Sequence, residues 1–296
     1  MSILRRPFIT AGSKLLQTTK AFLFDCDGVI WKGNQPIAGS IETLNYLKKI
    51  GKLVFYVTNN STKSREEVLK KLRHFGVNSS LDEILTSSYA TAQYLTTLPD
   101  PGEVYVVGEE GIFEELEAVG IKCHGREDND QHDISALEHM NTNVRTVVVG
   151  LDRSINYVKL SRAGSYIRDF GCTFIATNTD ASFPYPGGVI AGGSGCIVSA
   201  IETICGKKPD CIVGKPNRSF IDIIRLHHPQ IQISDMLMVG DRLDTDIVFA
   251  RRNGISSLLV FSGVTSESDM KACDDKLAPH FYTNSLHDLL PLLSSC

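Results

Sequence analysis

Short apolar runs alternate along this chain with stretches of helical periodicity, and that alternation limits the folds open to it more than any other feature. The run ending at Phe24 and those at 53–57, 104–108, 146–150, 173–177, 211–213, 236–239 and 257–261 read as strands. Between them, 36–50, 64–75, 89–95, 112–119 and 156–170 show helical spacing, and further helices end near 205, 227 and 254. Strands separated by helices need crossover connections, which lay them parallel with their carboxyl ends along one edge. The expected class is α/β, with a Rossmann-like parallel-sheet core. Two breaks divide the pattern, Pro99-Asp100-Pro101-Gly102 and Gly206-Lys207-Lys208-Pro209-Asp210. They predict a core in two parts, 1–100 and 207–296, with a second α/β module at 101–206 inserted between them. The polar, aperiodic stretch 125–143 reads as a surface loop, and the glycine-rich 186–195 as the opening of the helix that ends near 205.

Polar residues collect where the strands end. Phe24 is followed by Asp25-Cys26-Asp27-Gly28, and alternation along an extended chain sends Asp25 and Asp27 one way and Cys26 the other. Two carboxylates so close repel unless a proton or a cation separates them, and Mg2+ prefers such hard oxygen ligands. A solvated turn has the same sequence, whereas a calcium loop needs a third acid before the glycine and a later glutamate, both missing here. The second strand ends in Thr58-Asn59-Asn60-Ser61, which alone reads as a loop capping the next helix. Another ends in Gly214-Lys215-Pro216, and the next in Gly240-Asp241, followed by Asp244 and Asp246. Together these ends, rich in oxygen ligands and carrying one lysine, describe a site for Mg2+ and phosphate.

In order and spacing, Phe24-Asp25-Cys26-Asp27-Gly28-Val29-Ile30-Trp31, Thr58-Asn59-Asn60-Ser61, Lys215 and Val239-Gly240-Asp241-Arg242-Leu243-Asp244-Thr245-Asp246-Ile247 resemble the haloacid dehalogenase superfamily. More narrowly they resemble its phosphoglycolate, pyridoxal-phosphate and 4-nitrophenyl-phosphate phosphatase family, over about residues 21–282. The resemblance implies a Mg2+-dependent phosphomonoesterase of small phosphorylated metabolites, working through a phospho-aspartate. Asp25 then matches the nucleophile, and Asp27 the general acid that later serves as base. Thr58, Asn59 and Asn60 would hold phosphoryl oxygens, and Lys215 would neutralise charge beside Asp25. Asp25, Asp241 and the backbone carbonyl of Asp27 would hold the metal, with Asp246 orienting a bound water or the lysine. Asp244 reads as a charge placed at a helix start. The insert would be an α/β cap that closes over the site and selects the substrate, and the chain would form a homodimer through it. No histidine stands near Phe183, where the pyridoxal-phosphate branch places one, and Thr177-Asn178-Thr179-Asp180 is in keeping, so phosphoglycolate is the expected substrate. Pyridoxal phosphate and broad 4-nitrophenyl-phosphate activity are the alternatives.

Charge and composition remove other classes. A formal charge of -4 leaves no basic excess with which to displace counterions from nucleic acid. Eight cysteines are scattered without a Cys-x-x-Cys pair, as in reduced, cytoplasmic proteins, and Cys26 reads as a buried, inert thiol. No apolar run reaches the length of a membrane span. Residues 1–20 are basic and lack acids, in the manner of a targeting segment, but read more simply as an amphipathic lead-in. No Gly-x(4)-Gly-Lys-[Ser/Thr] occurs, and Cys196 stands where a serine nucleophile elbow would need its last glycine. The rival of another class is a module that holds phosphate without turnover.

Overall fold

The computed structural model describes residues 8–10, 14–185 and 189–294. They divide into two compact units. The first comprises the described residues up to Thr58, Leu69–Leu85, and those from Lys215 onward; the second comprises Asn59–Val68 and the described part of Thr86–Gly214.

In the first unit a six-stranded sheet runs in the order Phe281–Thr283, Ser256–Val260, Met236–Gly240, Ala21–Phe24, Leu53–Thr58, Ile84–Thr86. The first five strands in that order pair in parallel. Ala21–Phe24 lies inside the sheet and is apolar and buried at every position, as a strand covered on both faces has to be. Its register sets Phe24 level with Val239 on one side and Tyr56 on the other. Asp25, Gly240 and Val57 therefore stand at one height, and residues distant in sequence are delivered to one place.

After Gly28, which turns the chain at φ 85°, a short hairpin pairs Trp31–Lys32 with Gln35–Pro36. Apolar spacing alone starts the next helix at 36, whereas it begins at Ser40. Ile37 still donates its N–H to Ile30 O, and Gly39 at φ 75° separates the hairpin from Ser40–Lys49.

The second unit has its own parallel sheet, in the order Cys211–Ile212, Thr173–Ala176, Val144–Val149, Glu103–Val107, Cys123–His124. Its extent differs from the boundaries at 100/101 and 206/207 expected from the sequence. Cys211 pairs with Ile175, so 207–214 belongs here, and the helix Ser87–Thr96 packs on Glu110–Ala118. Proline and glycine breaks mark turns, and a turn says nothing about which sheet the following strand will join. The stretch 125–143 also differs from a plain surface loop. It contains the short turns Arg126–Asp128 and Ile134–Glu138, and buries Asp128, which accepts from Tyr105 Oη at 2.6 Å and lies 3.3 Å from Arg162 Nε. A polar residue with partners can be buried without any apolar periodicity to announce it.

Lys159 and Asp152 form a fully buried ion pair at 2.7 Å in this unit, with Asn129 as a further acceptor. The glycine-rich stretch forms a strand rather than only a helix start: Ser182–Tyr185 pairs antiparallel with Val189–Gly192, and Ser194–Cys205 follows as helix. Residues 186–188 of it, like 1–7 and 11–13 of the N-terminal lead-in, lie outside the described residues. Among the described residues no helix is long and apolar enough to cross a membrane.

Candidate active site

Three acids and a lysine meet at the carboxyl end of the first unit's sheet. Lys215 is buried, and its ammonium donates to Asp25 Oδ1 at 2.6 Å, Asp246 Oδ1 at 2.8 Å and Val57 O at 2.9 Å. Those three acceptors match the three donors of an ammonium. Burial alone would push the lysine's pKa down, but Asp246 and Asp25 outweigh it and hold the group charged.

Asp246 has both oxygens engaged. Oδ1 faces Lys215, and Oδ2 accepts from the N–H groups of Asp241 and Arg242, each at 3.1 Å. Ile247 N donates to Arg242 O across a widened turn at Leu243–Ile247, so regular helix begins only at Val248. Gly240 admits this arrangement, since a Cβ there would lie 2.2 Å from the Asp246 side chain. Asp244 pairs instead with Arg242, at 2.8 Å on an exposed face.

Asp241 lies beneath Gly28 and Gly263, where a Cβ would come within 2.4 Å and 1.8 Å of its Oδ2. That oxygen accepts from Val264 N–H at 2.7 Å, while the buried Oδ1 has no hydrogen-bond partner among the described residues. Burial first, and then the neighbouring Asp246, push the Asp241 carboxyl up to about 7. Asp25 is raised well above the ordinary carboxylate range by burial, against the pull of Lys215 and with the push of Asp246 and Asp241.

One oxygen from each of Asp25, Asp241 and Asp246 falls within 4.8 Å of the others. Three carboxylates facing a single ammonium, with one buried oxygen orphaned, fit a hard divalent cation bound mainly through Asp25 and Asp241. With Asp246 already committed, so few protein ligands suit Mg2+, which keeps several waters.

Asp27 is exposed, yet it stands in enough protein volume that burial raises its pKa, against the lowering effects of Lys71 and of the Trp31 indole N–H. That N–H donates to Asp27 Oδ1 at 2.8 Å. Thr58 ends the strand beside Asp25 and is buried. Asn59 and Asn60 belong to the second unit, where Asn59 Nδ2 donates to Asp180 at 3.0 Å and Asn60 Oδ1 accepts from Thr62 N at 2.9 Å. Cys26 points into the core, where burial and its two acidic neighbours push the thiol's pKa well up, so it stays protonated and inert. The sequence alone gives no role to Trp31 or to Gly28 and Gly263 around Asp241; the signals present are a lone tryptophan four residues after Asp27 and the glycine that follows Asp27, while Gly263 has none.

A parallel α/β core with acids and a lysine at its carboxyl edge defines a class of hydrolase, and a family model described as Haloacid dehalogenase-like hydrolase matches residues 22–122, with a second hydrolase model of that kind at 212–289. Phosphoglycolate phosphatase 2 of Arabidopsis thaliana is 42% identical over 291 residues, 95% of each chain. The 4-nitrophenylphosphatase of Schizosaccharomyces pombe is 37% identical over 90% of this chain and 92% of its own. The crystal structure of a glycerol phosphate phosphatase from Mycobacterium tuberculosis in complex with magnesium superposes with a TM-score of 0.78 at 29% identity, covering 93% of this chain and 77% of that one. The chain belongs to the haloacid dehalogenase phosphatases and is a phosphoric monoester hydrolase.

A raised Asp241 pKa has a thermodynamic consequence. The folded state holds this proton up to about pH 7, the unfolded chain only to the ordinary 3.8, so the carboxyl's contribution to stability is greatest at low pH and is lost as pH rises through that window. A cation needs the ionised form. In chelator the thermal midpoint of the protein is expected to fall relative to Asp241→Asn as pH rises from about 4 to about 7, and a hundredfold excess of Mg2+ over Kd should restore about 2.7 kcal/mol. Calorimetry with equal midpoint shifts in wild type and Asp241→Asn would remove Asp241 from the metal site.

Proposed function

We propose that the protein is a Mg2+-dependent phosphomonoesterase of small metabolites that works through a phosphorylated Asp25, with phosphoglycolate as its leading substrate. The observation that carries this reading is the Asp25 carboxylate at the mouth of an inner strand, held at 2.6 Å by a buried, fully bonded lysine. Lys215 fixes the nucleophile's rotamer and keeps positive charge where the phosphoryl group must sit.

In the first step an Asp25 oxygen attacks phosphorus in line. The O–P bond to Asp25 forms as the bond to the leaving oxygen breaks, and the electron pair stays on that oxygen. Asp27 delivers its proton there. In the second step water attacks the same phosphorus, gives its proton to Asp27, and frees phosphate and the Asp25 carboxylate. A bound divalent ion would polarise the phosphoryl oxygens and offset their charge against the surrounding acids. Thr58 offers a hydroxyl to a phosphoryl oxygen, and Asn59 and Asn60, which follow it directly, offer main-chain N–H groups. The second unit, made of Asn59–Val68 and the described part of Thr86–Gly214, would be the cap that selects the substrate.

Phosphoglycolate leads because a relative of that name matches at 42% identity over 95% of the chain. The relatives named for 4-nitrophenyl phosphate and glycerol phosphate keep a broader or different specificity open. Phosphate release with Mg2+ from phosphoglycolate, glycerol phosphate, pyridoxal phosphate and 4-nitrophenyl phosphate ranks them by kcat/KM, and phosphoglycolate is expected to lead by about tenfold or more, a contrast of the size that pocket contacts supply. A different leader moves the chain to another branch, and no release from any ester leaves a binding module.

A further inference from the structure

Trp31 is the only tryptophan of the chain, and it is 3% exposed. Its backbone closes the turn that carries Asp27: Trp31 N donates to Cys26 O at 3.2 Å, and Gly28 N donates to Trp31 O at 2.7 Å. Its ring is held from outside that turn. Lys71 Nζ stands 4.1 Å from the ring centroid while donating to Gly33 O at 2.7 Å, and Phe75 tilts against the ring at 6.1 Å. A cation over an indole face is attracted to the ring and anchors it. From this fixed frame Nε1–H donates to Asp27 Oδ1 at 2.8 Å.

We propose that Trp31 is a positioning residue for proton transfer, holding the Asp27 carboxyl so that only its second oxygen carries the proton to the leaving group. An indole nitrogen donates and cannot accept, so the oxygen that faces it must be the acceptor, and a proton placed there would meet another proton. The acidic hydrogen is thereby confined to Oδ2. Without the indole N–H the carboxyl turns about its last torsion, which is soft, and the productive orientation becomes one of several. Lys71 and Phe75 contribute by keeping the ring from following it. This inference rests on the reading of Asp27 as the acid.

Because Trp31 stands alone in the sequence, biosynthetic replacement of tryptophan by its benzothiophene isostere changes one atom pair of the chain, N–H to S, and keeps the ring's shape. The informative readout is kcat/KM across leaving groups, since an alkoxide must be protonated as it departs and 4-nitrophenolate need not be. The isostere is expected to lose about tenfold on phosphoglycolate and glycerol phosphate and less than about twofold on 4-nitrophenyl phosphate, part of the range assigned to general acid catalysis. Trp31→Phe should show the same contrast if it folds, and an unchanged thermal midpoint in the isostere protein shows that the ring still packs. Equal losses on all esters, or no loss, would overturn the positioning role. Asp27→Asn run in parallel separates the two layers: if it lacks the leaving-group contrast, the acid is not Asp27 and the role of Trp31 goes with it. If it has the contrast and the isostere does not, only the role of Trp31 fails.

Discussion

Asp25→Asn is expected to reduce phosphate release from every monoester by roughly 10⁴-fold or more, the scale on which removal of a covalent nucleophile is felt. The amide nearly matches the carboxylate in shape, so its Oδ1 can still accept from Lys215, and the surrounding backbone has no reason to move. What changes is that the group has lost its charge and most of its nucleophilicity, while its repulsion with Asp241 and Asp246 disappears. The variant should therefore fold, bind a divalent ion less tightly, and fail to form a phosphoenzyme. Intact mass after a rapid acid quench of wild type with substrate should show one added phosphoryl group, located on the peptide that carries Asp25, and none in the variant. Turnover in Asp25→Asn within about tenfold of wild type would mean that water attacks the ester directly, and the covalent route would be abandoned.

Much of this arrangement is readable before folding because its parts have local signatures. Ala21–Phe24 is apolar at every position, as a strand covered on both faces requires, and the abrupt change to Asp25 marks where it leaves the sheet. Asp241 follows an apolar run in the same way, and parallel pairing of the two strands brings these ends together, whereas Lys215 follows a strand of the other sheet and reaches Asp25 from outside the pairing. What could not be read depends on partners that the local sequence does not name. Cys211–Ile212 is as good a strand for either sheet, and only its pairing with Ile175 assigns it to the second unit. Asp128 is polar and sits in an aperiodic stretch, yet Tyr105 and Arg162 make its burial tolerable. Asp246 looks like one more acid in a rich run, until its two oxygens are found bridging Lys215 to the N–H groups of Asp241 and Arg242. The indole of Trp31 reads as core, and the one polar atom that gives it a further role has no pattern to reveal it.

Lys215→Met should be costly twice over, and the two costs can be separated. The methionine fills similar space but removes the ammonium that Asp25 and Asp246 share beside Asp241, where the carboxyls are already crowded. Breaking a buried pair from one side typically costs about 3–5 kcal/mol, because the acids left behind stay buried. Loss of fixed positive charge at a transferring phosphoryl group should lower kcat by a further 10²–10³-fold or about that, the scale seen when one transition-state donor is removed. Lys159→Met is the control. It breaks the Asp152 pair in the second unit, equally buried at 2.7 Å, so a comparable loss of stability is expected with kcat per folded molecule nearly intact. Urea unfolding and kcat at a temperature where both variants are folded distinguish the effects. Mg2+ supplies a second test, since added cation should stabilise Lys159→Met by as much as wild type and Lys215→Met by more, because there it also offsets the unpaired acids. If both lysines cost the same in stability and neither affects turnover, the ammonium at Asp25 is a structural strut and the charge that serves the phosphoryl group must come from elsewhere.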